Sequence, residues 1–123
     1  MRVLVAGATG QLGVDLVNLL RRQGVEVAAP DAQRLDLLRP QTVRDAVRDA
    51  RPHWVINCAA YTQVDRAEQE RETAFAVNRD GARVLAEAAA AAQAWMLQVS
   101  TDFVFSGQSS APYTEDDPTG PLG

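Results

Sequence analysis

"RVLVAGATGQLGVDLVNLLRR", Arg2 to Arg22, decides the fold. The apolar run from Val3 to Ala6 is too short for a helix and closes in glycine, which predicts a buried strand entering a tight turn. From Gln11 to Arg22 the period changes. Leu12, Leu16, Leu19 and Leu20, with Val17 beside them, fall at helical spacing, and Gly24 follows as a stop. Strand, glycine turn and helix in that order form the opening unit of a βαβ fold.

The same alternation continues outward. "VEVAA" (25–29) reads as a second strand and "RLDL" (34–37) as a short third one. Pro40, at the favoured first helical position, starts a helix to about Ala50. "HWVINCAA" (53–60) is a long apolar strand, Glu72 to Gln93 an alanine-rich helix, and "AWMLQVS" (94–100) the fifth strand. After Gly107 the residues are those of loops. Strands alternating with helices predict an α/β, Rossmann-like, doubly wound parallel sheet of order 3-2-1-4-5, with right-handed crossovers. Near-continuous apolar strands fit a sheet buried on both faces. One domain covers 1–123, and ligands are expected at the carboxyl edge where the strand order reverses.

Composition narrows the function. A hydrophobic fraction of 46% and a net charge of −4 describe an ordinary globular chain. Neither nucleic acid nor an anionic membrane is expected as partner, since both require a basic face. No stretch is long enough to cross a bilayer, and the first apolar run is too short and glycine-interrupted for a signal peptide. A single cysteine, Cys58, forms no internal disulfide, so a cytoplasmic setting is expected. One His and one Cys without ligand spacing predict no metal. All twelve basic residues are arginine, so lysine chemistry is excluded within these residues.

Gly7, Gly10 and Gly13, spaced G-x-x-G-x-x-G, lie between strand and helix, the context in which such a turn presents free N–H groups and a helix dipole to a pyrophosphate. Asp31 ends the second strand, where a carboxylate meets the adenosine ribose hydroxyls and favours NAD; Arg34 nearby offers a phosphate a partner. The alternative for Asp31 is a surface-loop opener. Asp36 either accepts from the adenine amino group or caps the Pro40 helix. "NCAAYT", Asn57 to Thr62, supplies small residues against which a cofactor can lie. Cys58 reads as a small buried hydrophobe, with no neighbouring cation to activate it. His53 lies at the opposite edge, in a structural or surface position. "DRAEQERE" reads as a solvated, acidic helix start. Ser100-Thr101-Asp102 interrupts an apolar strand at the carboxyl edge. A hydroxyl there can hydrogen-bond a carbonyl under reduction; the alternative is a Ser/Thr turn.

Together, "GATGQLG", "RLDL", "RPHWVINCAAYTQVDRAEQE", "AVN", "VSTDFVFSG" and "PYTEDDPTGPLG" resemble the extended short-chain dehydrogenase/reductase superfamily, and within it the dTDP-4-dehydrorhamnose reductase family. The resemblance spans essentially the whole chain. It implies cofactor contacts, to NADP(H) or NAD(H), from Gly10, Gln11 and Leu12 at the pyrophosphate. It places Asp36 and Leu37 near the adenine, and Ala60, Tyr61 and Thr62 along the ribose and nicotinamide, with Ser100 beside the nicotinamide. Thr101 takes the catalytic hydroxyl position, and Thr101 with Asp102 meets the nucleotide-sugar substrate, whose 4-keto group the family reduces.

The family continues past "PTGPL" into a Tyr-x-x-x-Lys pair that these residues do not contain. Neither Tyr61 nor Tyr113 has a basic residue four positions on. The expectation is therefore a cofactor-binding amino-terminal portion, inactive or nearly so alone, with a sheet edge free for self-association. Two alternatives stay open: a non-catalytic dinucleotide-binding regulatory module, as in the regulatory subunit of methionine adenosyltransferase, and a nucleotide-sugar epimerase or dehydratase. "STDFVF" and "TQVDRAE" favour the reductase over the latter.

Overall fold

A computed structural model describes all 123 residues. Val3 to Ala6 is fully enclosed within strand β1 (Arg2–Ala6), as its unbroken apolar run requires. Helix α1 (Gln11–Arg22) follows, and Gly24 ends it at φ +75°, with the Val25 N–H returning to the Leu20 carbonyl at 3.0 Å. Strand β2 (Glu26–Ala28), helix α2 (Pro40–Ala50, with Pro40 at its start) and strand β3 (Trp54–Asn57) come next. The second half holds α3 (Val64–Ala67), α4 (Arg71–Phe75), a π-type turn of helix (Ala76–Gly81), α5 (Ala82–Ala91) and β4 (Trp95–Gln98). All strand pairs are parallel, in the order β2-β1-β3-β4. This is the expected Rossmann-like α/β sheet.

One strand of the expected five is absent, so the expected order 3-2-1-4-5 is corrected to four strands. "RLDL" does not pair with β2. The N–H groups of Arg34 and Leu35 instead close onto the Asp31 carbonyl at 3.1 and 2.9 Å, and that of Arg39 onto Asp36 at 2.9 Å. With local turns satisfying the backbone, no ladder is left to form. The alternation still registers in packing: Leu35 and Leu37 point into the core and Asp36 outward.

The sheet is covered unequally. On one face Leu4, Ala6 and Val55 pack with Val43 and Val47 of α2 and with Val84, Leu85, Ala88 and Ala89 of α5. On the other, Val3 and Val5 form a smaller buried cluster with Ala8 and Val17, ringed by half-buried side chains such as Leu16, Leu20, Trp54 and Ile56. The predicted helix 72–93 is found as α4, the π turn and α5 in unbroken succession. No helix is long and apolar enough to cross a membrane.

Candidate dinucleotide site at the carboxyl edge

Because all strands run the same way, the loops after β1, β3 and β4 emerge side by side, and that after β2 joins them on the far side of β1. Gly7 adopts φ +73°, a left-handed conformation that glycine alone adopts without strain. A Cβ on it would lie 2.6 Å from the Ala59 nitrogen, so the glycine turn sits directly against the β3 loop. A Cβ on Gly13 would lie 2.0 Å from the Gly7 carbonyl oxygen; only glycine lets α1 start this close to β1.

Gly10 differs from both. It is exposed at φ −78°, and the nearest atom to a Cβ there is 3.4 Å away. Nothing within the chain demands its bareness, and a ligand approaching the backbone would. Gly10 caps α1 without a side chain, and the N–H groups of Gln11 and Leu12 donate to no backbone or side-chain acceptor. Free donors at a positive helix end, beside a glycine floor, fit a pyrophosphate.

The other expected residues fall on the same edge with distinct local duties. The Asp31 Oδ1 accepts from the N–H groups of Gln33 and Arg34 at 3.1 and 3.0 Å, so this carboxylate shapes its own turn. Asp36 accepts from the Leu38 N–H at 2.9 Å and from Arg39 Nε at 3.0 Å, shaping the turn before α2; it does not cap that helix, whose N-cap is Arg39 without a side-chain bond. Leu37 is buried against Gly81. Ala60 and Thr62 are exposed. Burial pushes the Cys58 thiol up, away from the nucleophilic thiolate. His53 accepts from the Arg2 N–H at 2.9 Å through Nδ1, a structural bond at the opposite edge.

Tyr61 is held more firmly than its sequence suggests. Its N–H donates to Asn78 Oδ1 at 2.8 Å and its carbonyl accepts from Asn78 Nδ2 at 3.1 Å. The phenol donates to Glu70 Oε2 at 2.5 Å, and Arg66 donates to Glu70 Oε1 at the same distance. That hydrogen bond to Glu70 holds the Tyr61 proton on, raising the phenol's pKa; the phenol and Arg66 together lower the Glu70 carboxyl. Thr101 Oγ1 accepts from the Phe103 N–H at 3.2 Å and donates to Asp102 Oδ1 at 3.2 Å. It therefore caps a short turn while its hydroxyl stays exposed, as does Ser100.

Sequence reasoning passed over Asn78, Glu70, Asn57 as an individual and Gln98. Asn78 lies in the π turn, whose shifted period no helical count reveals. Asn57 carried one signal: it is the polar end of the apolar strand "WVIN", and it is 1% exposed.

The chain is similar to known proteins along nearly its whole length. A dTDP-4-dehydrorhamnose reductase from Streptomyces griseus is 51% identical over 120 residues, 98% of this chain and 40% of the relative. Another, from Sinorhizobium fredii, is 44% identical over 122 residues, 99% of this chain and 41% of the relative. The crystal structure of the Bacillus anthracis dTDP-4-dehydrorhamnose reductase in complex with NADP superposes with a TM-score of 0.94 at 39% identity, covering 98% of this chain and 43% of that one. The chain thus spans about two-fifths of the length of these relatives. The profile of the RmlD substrate binding domain matches residues 1–123, from the first residue to the last, and the chain belongs to that family.

Proposed function

We propose that residues 1–123 form the NAD(P)H-binding domain of a dTDP-4-dehydrorhamnose reductase, an oxidoreductase that reduces the 4-keto group of a dTDP-linked deoxysugar. The observation that carries this reading is the bare Gly10 beneath the free N–H groups of Gln11 and Leu12, with Gly7 and Gly13 fixing the turn. The NADP bound to the Bacillus anthracis relative supports it.

In this reading the α1 amino end holds the pyrophosphate. Ala60, Tyr61 and Thr62 line the ribose and nicotinamide side, and Asp31, Asp36 and Leu37 border the adenosine. The dinucleotide supplies the hydride. Thr101, exposed on the neighbouring loop, turns its hydroxyl from the long 3.2 Å bond to Asp102 so that its one proton is donated to the ketone oxygen, and steadies the negative charge that develops there. Asp102, which now accepts from Thr101, lies against the sugar. Tyr61 is not the proton donor in this scheme, because its phenol is committed to Glu70. Residues 1–123 contain no lysine to lower a tyrosine's pKa, so by themselves they hold and orient without turning over. The reading extends to a cytoplasmic setting and to contact between copies along β4.

Titration of NADPH and NADH against the chain, followed by nicotinamide fluorescence, tests the proposal. Saturable binding below about 1 mM, near −4 kcal/mol, is expected. Absence of binding by either dinucleotide at that level overturns it. In the same samples, ketone reduction at ordinary enzymatic rates, about 1–1000 per second, would overturn the assignment of the chain as a non-catalytic part.

A further inference from the structure

We infer that Asn57 and Gln98 are positioning residues: their side-chain amides form one continuous hydrogen-bonded relay that ties the cofactor-lining loop after β3 to the Ser100-Thr101-Asp102 step after β4. The inference rests on the cofactor reading above for what the two loops do, and on geometry alone for the relay. Asn57 and Gln98 are register partners at the last positions of neighbouring parallel strands. The Ala59 N–H donates to Asn57 Oδ1 at 3.0 Å, Asn57 Nδ2 donates to Gln98 Oε1 at 2.8 Å, and Gln98 Nε2 donates to the Val99 carbonyl at 2.8 Å. Val99 is held from the other side as well, its N–H meeting the Asn57 carbonyl at 3.2 Å.

Every amide in this chain points the same way, so each bond polarises the next. Asn57 is 1% exposed, and no buried side-chain nitrogen or oxygen lacks a partner. Asn57 is the buried member of this arrangement and Gln98 its solvent-facing partner, so loss of the Gln98 amide leaves the enclosed Asn57 Nδ2 without its protein acceptor. What that arrangement fixes is the separation between Ala59, which abuts Gly7, and the peptide that leads into Ser100. Hydride transfer requires those two loops to hold donor and acceptor about 3–3.5 Å apart. The strand register ends at Asn57 and Gln98, with the Val99 N–H to Asn57 carbonyl bond as its last backbone link, and the side-chain relay adds to that link the tie to Ala59.

Two substitutions at Gln98 separate this from a packing role. Gln98→Met keeps the length of the side chain and removes both amide atoms. Gln98→Glu keeps the acceptor for Asn57 and removes the donor to Val99. Amide hydrogen exchange and ¹⁵N chemical shifts are read on the ligand-free chain, then with NADPH added. In Gln98→Met, Ala59 and Ser100 both shift and Ala59 exchanges about tenfold faster, the factor one lost hydrogen bond represents. In Gln98→Glu, Ser100 to Asp102 shift while Ala59 keeps its wild-type protection. NADPH affinity falls about fivefold to tenfold in Gln98→Met. If the two variants move Ala59 and Ser100 alike, or neither moves them, the relay is overturned. If the wild-type chain fails to bind NADPH, the cofactor reading falls, and the ligand-free exchange pattern still decides the relay.

Discussion

The two faces of the sheet are built from one set of strands and differ sharply in cover. Beneath α2 and α5, Leu4, Val55 and Leu85 are wholly enclosed. On the α1 face, cover reaches β1 and thins toward β4, where Trp95 is 70% and Leu97 45% exposed, side by side with a half-buried Trp54 that stacks on Trp95 at 6.0 Å. The apolar content of β4 is thus half spent on one face and bare on the other. Stability resides under two helices, and the α1 face carries the glycine turn and the bare strip.

The largest test of this contrast is a pair of truncations. Leu85→Ala should cost about 3 kcal/mol, as expected for an enclosed leucine, whereas Leu97→Ala should stay within about 0.5 kcal/mol. Equal losses in urea unfolding would break the comparison. Next comes Gly13→Ala. Its Cβ would overlap the Gly7 carbonyl, so a loss of about 1–3 kcal/mol is expected, together with loss of NADPH binding; an unchanged melting profile would show that α1 can move aside. Smaller in energy is the effect on association. Trp95→Ser with Leu97→Lys should abolish concentration-dependent sedimentation and leave stability within about 0.5 kcal/mol; a wild-type chain that is monomeric at all concentrations would remove the bare strip as an adhesive surface.

The smallest effect distinguishes the two tyrosines. Glu70 raises Tyr61, while the Ser106 hydroxyl and the Ser109 N–H at its oxygen lower Tyr113. An ultraviolet titration should therefore show two steps straddling the ordinary value near 10. Tyr113→Phe removes the early step and Tyr61→Phe the late one; the reverse assignment would refute both contacts. At the acid end the sign is fixed by Glu70, whose folded pKa is depressed. Its contribution is complete above the usual carboxylate value of about 4.3 and is lost as pH falls through the lower, folded value. Tyr61 fluorescence should report that release at pH values below the usual carboxylate range.

Much of this was legible in the residues. The unbroken apolar runs of β1 and β3, the spacing of Leu16 and Val17, Pro40 and the glycine stop at Gly24 each report a local physical requirement. "RLDL" misled because period-two alternation records which side faces the core, and not whether a backbone ladder forms. Asp31 and Asp36, by bonding to nearby N–H groups, diverted that segment into turns. At the site, the glycines were readable because close approach leaves no substitute. Asn57, Gln98, Glu70 and Asn78 were not, since each acts on a residue brought near only by the fold. The reach from Asn57 to Gln98 is 41 positions along the chain and 2.8 Å across it.

The π turn at Ala76–Gly81 sets the phase of everything downstream. It feeds one extra residue into an otherwise regular screw, so that Asn78 can face Tyr61 while Val84, Leu85 and Ala88 still face the sheet. Deleting a single codon there would yield a smoother, more regular helix. It would also rotate Asn78 by about 100° against α5, so that either the clamp or the core must lose its alignment. Irregularity at this point is what lets one helix serve two neighbours.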